Sequence, residues 1–109
     1  MIPKNRKFPL RTEFLRFRAR ATRQTSPHLT LYFTPNTSHS RLSVVVPKKL
    51  SKLATTRNWL KRLTYDTLWP LIQDNRLDCV VVYKPLPLKK SLTNQRELVH
   101  ELTQIFRSL

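Results

Sequence analysis

Hydrophobic and polar residues alternate cleanly in "HLTLYFT", residues 28–34. Leu29, Leu31 and Phe33 fall on one side, and His28, Thr30, Tyr32 and Thr34 on the other. That period of two predicts a strand with one buried face. "RLSVVVPKK", residues 41–49, predicts a second strand with Leu42, Val44 and Val46 on one face. Pro47 cannot donate to a ladder and is expected at a sheet edge or strand end. "DCVVVYK", residues 78–84, is an unbroken apolar run of strand length and predicts a buried strand.

Elsewhere the period is helical. Leu10, Phe14, Phe17 and Ala21 recur at helix spacing along "TEFLRFRARATR", with Thr12 as the expected N-cap and Glu13 suited to the positive end. "TSP" at 25–27 is the expected stop, because the residue before a proline avoids the helical region. A long helix is predicted over 53–73. Leu53, Leu60, Leu63, Thr64, Thr67 and Leu71 form its buried arc, and Asn58, Arg62, Tyr65 and Trp69 its outer stripe. A final helix is predicted in "LTNQRELVHELTQIFRSL", with Leu98, Leu102, Ile105, Phe106 and Leu109 inward. Residues 1–11, punctuated by Pro3 and Pro9, read as an extended basic arm. The order is α-β-β-α-β-α, with room for one more short strand between 34 and 50. Mixed order with a helical crossover predicts an α+β two-layer sandwich, one domain over 1–109.

Charge changes the picture most. The 109 residues carry a net +15. Residues 1–62 hold fifteen basic side chains and one acid, Glu13, whereas 63–109 hold six basic and five acidic ones. Such a field calls for a polyanion, and nucleic acid fits best, ahead of an anionic membrane surface. "KKLSKLATTRNWLKRL", residues 48–63, concentrates six basic residues without an acid. Lys52, Arg57, Lys61 and Arg62 are expected to meet phosphates, and Asn58 a ribose or base edge. Tyr32, on the polar side of its strand, is a candidate ring for stacking single-stranded RNA, while Phe14 and Phe17 read first as core.

Other chemistry finds little support. The six acids are scattered, and His28, His39 and His100 have no ligand spacing. With no glycine, the chain lacks a phosphate-binding loop or a dinucleotide fingerprint, and positive-φ turns are expected to use Asn, Asp or Ser. The lone Cys79 sits among valines and reads as core. The basic N-terminus leads into no apolar segment, and no run approaches a membrane span. A reducing compartment, most simply the cytoplasm, is expected.

"RTEF", "HLTLYF", "RLSVVVPKKL", "TRNWLKRL" and "LDCVVVYK", in that order, together resemble the bacterial ribonuclease P protein component across residues 8–109. The most specific part is Lys48 and Lys49 followed by Arg57, Asn58, Lys61 and Arg62. The resemblance implies a left-handed βαβ crossover. It also implies a partnership with a catalytic RNA that removes the 5′ leader of precursor tRNA, the protein supplying no catalytic residue. Magnesium would enter through the RNA, with no metal held by protein side chains alone and no protein or membrane partner required. Arg57, Asn58, Lys61, Arg62 and Lys52 would face that RNA, and Phe14, Phe17, Arg18, Tyr32, Lys48 and Lys49 the leader. Trp59 stands where the family's motif has a second arginine, Arg18 where it has a second aromatic, and Ser43 and Ser51 where it commonly has glycine. A structural RNA-binding protein without a role in cleavage is the alternative, and it would have no use for a leader cleft. A DNA-binding module with the long helix in a major groove fits less well, since the chain has no dimer element.

Overall fold

The structure is a computed structural model that describes residues 7–36 and 39–107. Its elements are α1 (Leu10–Arg20), β1 (Thr22–Thr25), β2 (Leu29–Pro35), β3 (Arg41–Val45), α2 (Ala54–Ile72), β4 (Leu77–Tyr83) and α3 (Leu92–Arg107). The strands form one mixed sheet in the order β1-β2-β4-β3. β1 and β2, and β2 and β4, are antiparallel; β3 and β4 are parallel and are joined through α2, a βαβ unit. The architecture is the expected α+β one. The additional strand, however, lies at 22–25, not between 34 and 50. "TRQT" carries no apolar alternation and is held as an edge strand by its register with β2.

Two apolar layers sandwich the sheet. Leu29, Leu31 and Phe33 of β2, Cys79, Val81 and Tyr83 of β4, and Leu42 and Val44 of β3 face α2 and α3. There they meet Leu60, Leu68, Ile72, Leu98, Leu102 and Ile105. On the reverse face Tyr32 and Val80 pack against Phe17 of α1 and Phe8 of the preceding segment. Phe8 also docks on the outer edge of β3: its N–H donates to the Leu42 carbonyl at 3.4 Å, and its own carbonyl accepts from Ser43 Oγ at 2.6 Å. Pro47 lies two residues beyond the end of β3, near a strand end as expected.

Several local expectations are corrected. The arm gives way to helix at Leu10, one residue after Pro9, so Pro9 holds the N-cap position and Thr12 lies within α1. Residues 1–6 of the arm, and Leu109 of the final stripe, lie outside the described residues. α1 ends at Arg20 and the chain turns extended at Ala21 (ψ 148°), before the predicted stop. The buried stripe of α2 is Thr56, Leu60, Thr64, Leu68 and Ile72, while Leu53 and Leu71 are exposed. Leu60 and Thr64 lie inward as expected, and the Thr64 and Tyr83 hydroxyl oxygens, both buried, lie 2.6 Å apart as hydrogen-bond partners. Tyr65 and Trp69, expected on the outer stripe, are half-buried against the core. Among the described residues Arg76 alone has positive φ (50°), in place of an Asn, Asp or Ser. The neighbouring Asn75 instead spends its side chain on the Leu71 carbonyl at the end of α2.

Candidate nucleic-acid interface

α2 is held by its apolar stripe, so its basic residues are turned out. Asn58, Lys61 and Arg62 are exposed and Arg57 is half-buried. No acid lies in the first turn of α2, and no salt bridge among the described residues involves these cations. Arg57 donates from Nη1 to the Ser51 carbonyl at 2.8 Å, which ties the β3–α2 loop to the helix. Lys52 on that loop is exposed. Trp59, beside Asn58 in sequence, packs against the main core and is not part of the basic face.

Asn58, Lys61 and Arg62 line one wall of a groove of about 670 Å³. The opposite side is formed by Lys7 and Val44, with Tyr65 and Asp66 along α2. The Lys7 ammonium stands 6.0 Å from the centre of the Tyr65 ring. Burial raises the Tyr65 hydroxyl above the ordinary tyrosine range, only partly opposed by its hydrogen bonds to Ser43 and the Val44 backbone. It therefore stays protonated and offers no negative charge in the groove. Sequence reasoning did not select Lys7 or Tyr65 as site residues. Tyr65 did fall on the same stripe as Arg62, a usable signal; Lys7 is brought in by the docking of Phe8, which no sequence pattern shows.

A second surface lies where α1 crosses the reverse face of the sheet. Phe14 meets Tyr32 edge to face, with ring centres 6.1 Å apart, and the Arg18 guanidinium stands 6.0 Å from the Tyr32 ring. Tyr32 is only 9% exposed, so the ring that could offer its face to a base is the half-buried Phe14. Phe17 does not reach this surface. It is fully buried, its ring centre 4.6 Å from that of Phe8, so it supports the site from beneath and does not touch a ligand. Strand register sets out the floor. Thr25, Thr30, Val82 and Val45 lie side by side across the four strands, on the Tyr32 face, with Thr30, Val82 and Val45 half-buried. Beyond Val45 the chain leads to Lys48 and Lys49, both exposed. Phe14, Arg18 and Tyr32 are thus brought together, and the dilysine stands at the edge-strand end of the row.

α1 is fastened by Arg41. Its Nε and Nη2 fork onto the two oxygens of the buried Asp78, each at 2.8 Å, and Nη1 reaches Glu13 of α1 at 3.4 Å. The guanidinium also lies 5.1 Å from the centre of the Phe8 ring. The hydrogen bond to Asp78 holds the Arg41 pKa above even the usual arginine value.

A separate cluster closes the β1–β2 turn against α3. Glu101 accepts from Ser26 Oγ, from the His28 N–H at 2.7 Å, and pairs with His28 Nδ1 at 2.8 Å. Burial pushes the Glu101 carboxyl up, but the hydrogen bonds from Ser26 and His28 and the His28 charge together hold it below the usual range. Among the described residues, no three His, Cys, Asp or Glu side chains are grouped to hold a metal ion, and no helix is long and apolar enough to cross a membrane.

A family model described as Ribonuclease P matches residues 2–109 of the chain. The Ribonuclease P protein component of Pseudanabaena sp. (strain PCC 6903) is 39% identical over 64 residues, 57% of this chain and 55% of that protein. The matched stretch thus spans little more than half of that relative's length. The solved RNase P protein of Thermotoga maritima is 24% identical, with a TM-score of 0.72, covering 94% of this chain and 96% of that one. An RNase P protein structure from Staphylococcus aureus is 23% identical, with a TM-score of 0.70, covering 93% and 97%. Likeness at that identity bears on the fold.

Proposed function

The chain belongs to the Ribonuclease P family, and on that premise we propose that it is the protein subunit of a ribonuclease P ribonucleoprotein that matures the 5′ end of tRNA. Its partners are the ribonuclease P RNA and precursor tRNA, and it works in the cytoplasm. The observation that carries this reading is the pairing of two unlike surfaces on one small fold: an α2 face whose Arg57, Lys61 and Arg62 enter no salt bridge among the described residues, and a surface where Phe14, Arg18 and Tyr32 meet in a row that leads to a dilysine.

Arg57, Asn58, Lys61, Arg62 and Lys52 bind the phosphate backbone of the ribonuclease P RNA. Arg57 does so with the N–H groups left free of Ser51, and Lys61 and Arg62 from the rim of the groove. The leader of precursor tRNA lies along the Thr30–Val82–Val45 row. One base rests on Phe14, Arg18 and the Tyr32 edge border it, and Lys48 and Lys49 take its phosphates. Phe17 keeps α1 in place beneath. Hydrolysis is the chemistry of the RNA and the magnesium it brings; the protein neutralises charge and lengthens the hold on substrate.

The test is cleavage of a precursor tRNA by a bacterial ribonuclease P RNA at low magnesium, with and without this protein. Correct 5′ maturation that depends on the protein, and gains from a leader of several nucleotides, is the expected result. Tight RNA binding without any gain in cleavage, even with the RNA from the same source, would make the protein a structural RNA binder instead.

A further inference from the structure

Parallel pairing of β3 with β4 makes both strands point the same way, so the loops that follow them leave the sheet side by side. These loops, residues 46–53 and 84–91, are joined by a hydrogen bond from the Leu88 N–H to the Leu50 carbonyl at 3.2 Å. Leu50 is buried and Leu88 packs against the same core, so both loops are anchored by their leucines. Lys48–Lys49 comes just before Leu50, and Lys89–Lys90 just after Leu88. Two dilysines therefore flank a single interloop hydrogen bond, and all four side chains are exposed. The Lys89 carbonyl is held in turn by Asn94 Nδ2 at 2.7 Å, which fixes the second pair against α3. With Lys52 and Lys84, the two loops carry six lysines and no acid. Read along the chain, the second half is nearly neutral; the fold transfers its one lysine-rich loop to the basic end.

We propose that Lys89 and Lys90 form, with Lys48 and Lys49, a four-lysine clamp on the phosphodiester backbone of RNA, a contact supplied by the β4–α3 loop. The assignment rests on the ribonuclease P reading above and adds a second chain segment to its RNA surface. RNA is favoured over a lipid surface because the clamp lies beside the first turns of α2, from which the exposed Asn58, Lys61 and Arg62 continue the polar surface. Four clustered ammonium groups without acids repel one another, and a run of phosphates relieves that repulsion while releasing counterions.

The experiment compares the full chain with a Lys89→Gln/Lys90→Gln variant and a charge-matched control, Arg96→Gln/Arg107→Gln, on the outer face of α3. Affinity is measured against salt for a bacterial ribonuclease P RNA transcript. It is measured again for precursor tRNAs with and without a leader on the assembled ribonucleoprotein. The expected result is a log–log salt slope shallower by about 1.4–1.8 for K89Q/K90Q, from two lost phosphate contacts, with the control changed much less. Loss on the transcript assigns the clamp to the ribonuclease P RNA; loss only with leader-bearing substrate assigns it to the leader. Wild-type binding with an unchanged K89Q/K90Q slope overturns the clamp and leaves the ribonuclease P reading intact. An equal loss in the control overturns it too, as a general field effect. Unchanged RNA slopes with weakened binding to phosphatidylglycerol vesicles would give the surface to lipid, and a wild type that binds no RNA overturns both readings.

Discussion

Replacing Arg41 with methionine removes the guanidinium and keeps most of the side chain's length. It leaves the Asp78 carboxylate, 4% exposed, with Asn36 Nδ2 donating at 2.7 Å and no other salt bridge among the described residues. Removing one partner of a buried ion pair costs about 3–5 kcal/mol. Here the Arg41 side chain is 26% exposed and Asn36 remains, so the loss belongs below that range, at about 2–3 kcal/mol. Urea unfolding followed by the fluorescence of Trp59 and Trp69 reads it directly. With a slope of about 1–3 kcal/mol per molar urea for a small protein, the midpoint should fall by about 0.7–3 M. Adding Asp78→Asn to Arg41→Met should restore at least half of the loss, because it is the stranded charge that is expensive. A single variant that loses less than about 1 kcal/mol, or a double variant no more stable than the single, would refute the reasoning. Because Arg41 also reaches Glu13 and stacks on Phe8, the single variant should in addition weaken leader-dependent substrate binding by loosening α1.

Lys61→Ala with Arg62→Ala should flatten the salt dependence of RNA binding by about 0.7–0.9 log units of slope per lost phosphate contact; an unchanged slope would take α2 out of the interface. Phe14→Ala should cost about 1–3 kcal/mol in binding of leader-bearing precursor tRNA if one base stacks on it, and an equal loss with leaderless tRNA would make the ring purely structural. Glu101 has a depressed carboxyl pKa in the folded state, so its contribution is present above the unfolded value of about 4.3 and lost as pH falls through the folded one. Glu101→Gln should remove that part of the acid side of the stability curve, and an unchanged acid limb would contradict it. Cys79, buried with its thiol pushed up to about 12 by burial and then by Asp78, should resist alkylation at neutral pH until the protein unfolds; rapid labelling of the native protein would contradict its burial.

The three apolar strands were legible because alternation and run length report directly on burial. β1 was not: "TRQT" takes its conformation from pairing with β2, and "ARATR" has ample helix propensity up to the point where tertiary structure overrides it. The α2 wheel was rotated: Leu60 and Thr64 lie inward as expected, but the side packed on the sheet and α3 follows the i, i+4 row that adds Thr56, Leu68 and Ile72, not the arc drawn through Leu53 and Leu71. Phe17 is core, as its helical spacing suggests; Tyr32 shows a different limit. A sheet face of threonine, histidine and tyrosine looks solvent-facing until a second layer, α1 and Phe8, is laid over it. The exposure of Asn58, Lys61 and Arg62 on α2 was readable from the helix period, although Arg57, Tyr65 and Trp69 lie half-buried. The juxtaposition of Lys48–Lys49 with Lys89–Lys90 was not, since it depends on parallel pairing between strands separated by a whole helix.

The position of β4 also governs when the molecule can fold as it is made. β4 is the seventy-seventh to eighty-third residue of the chain, yet it is the strand on which both β2 and β3 pair. Until it has been synthesised, only the β1–β2 hairpin can close, and neither apolar layer has its central member. A nascent chain therefore presents most of its cationic segment as unfolded polypeptide, then completes the sheet late through pairings that span much of its length. Such non-local closure is slow. Acquisition of structure during translation should accordingly be abrupt, appearing only after residue 83 has left the ribosomal tunnel.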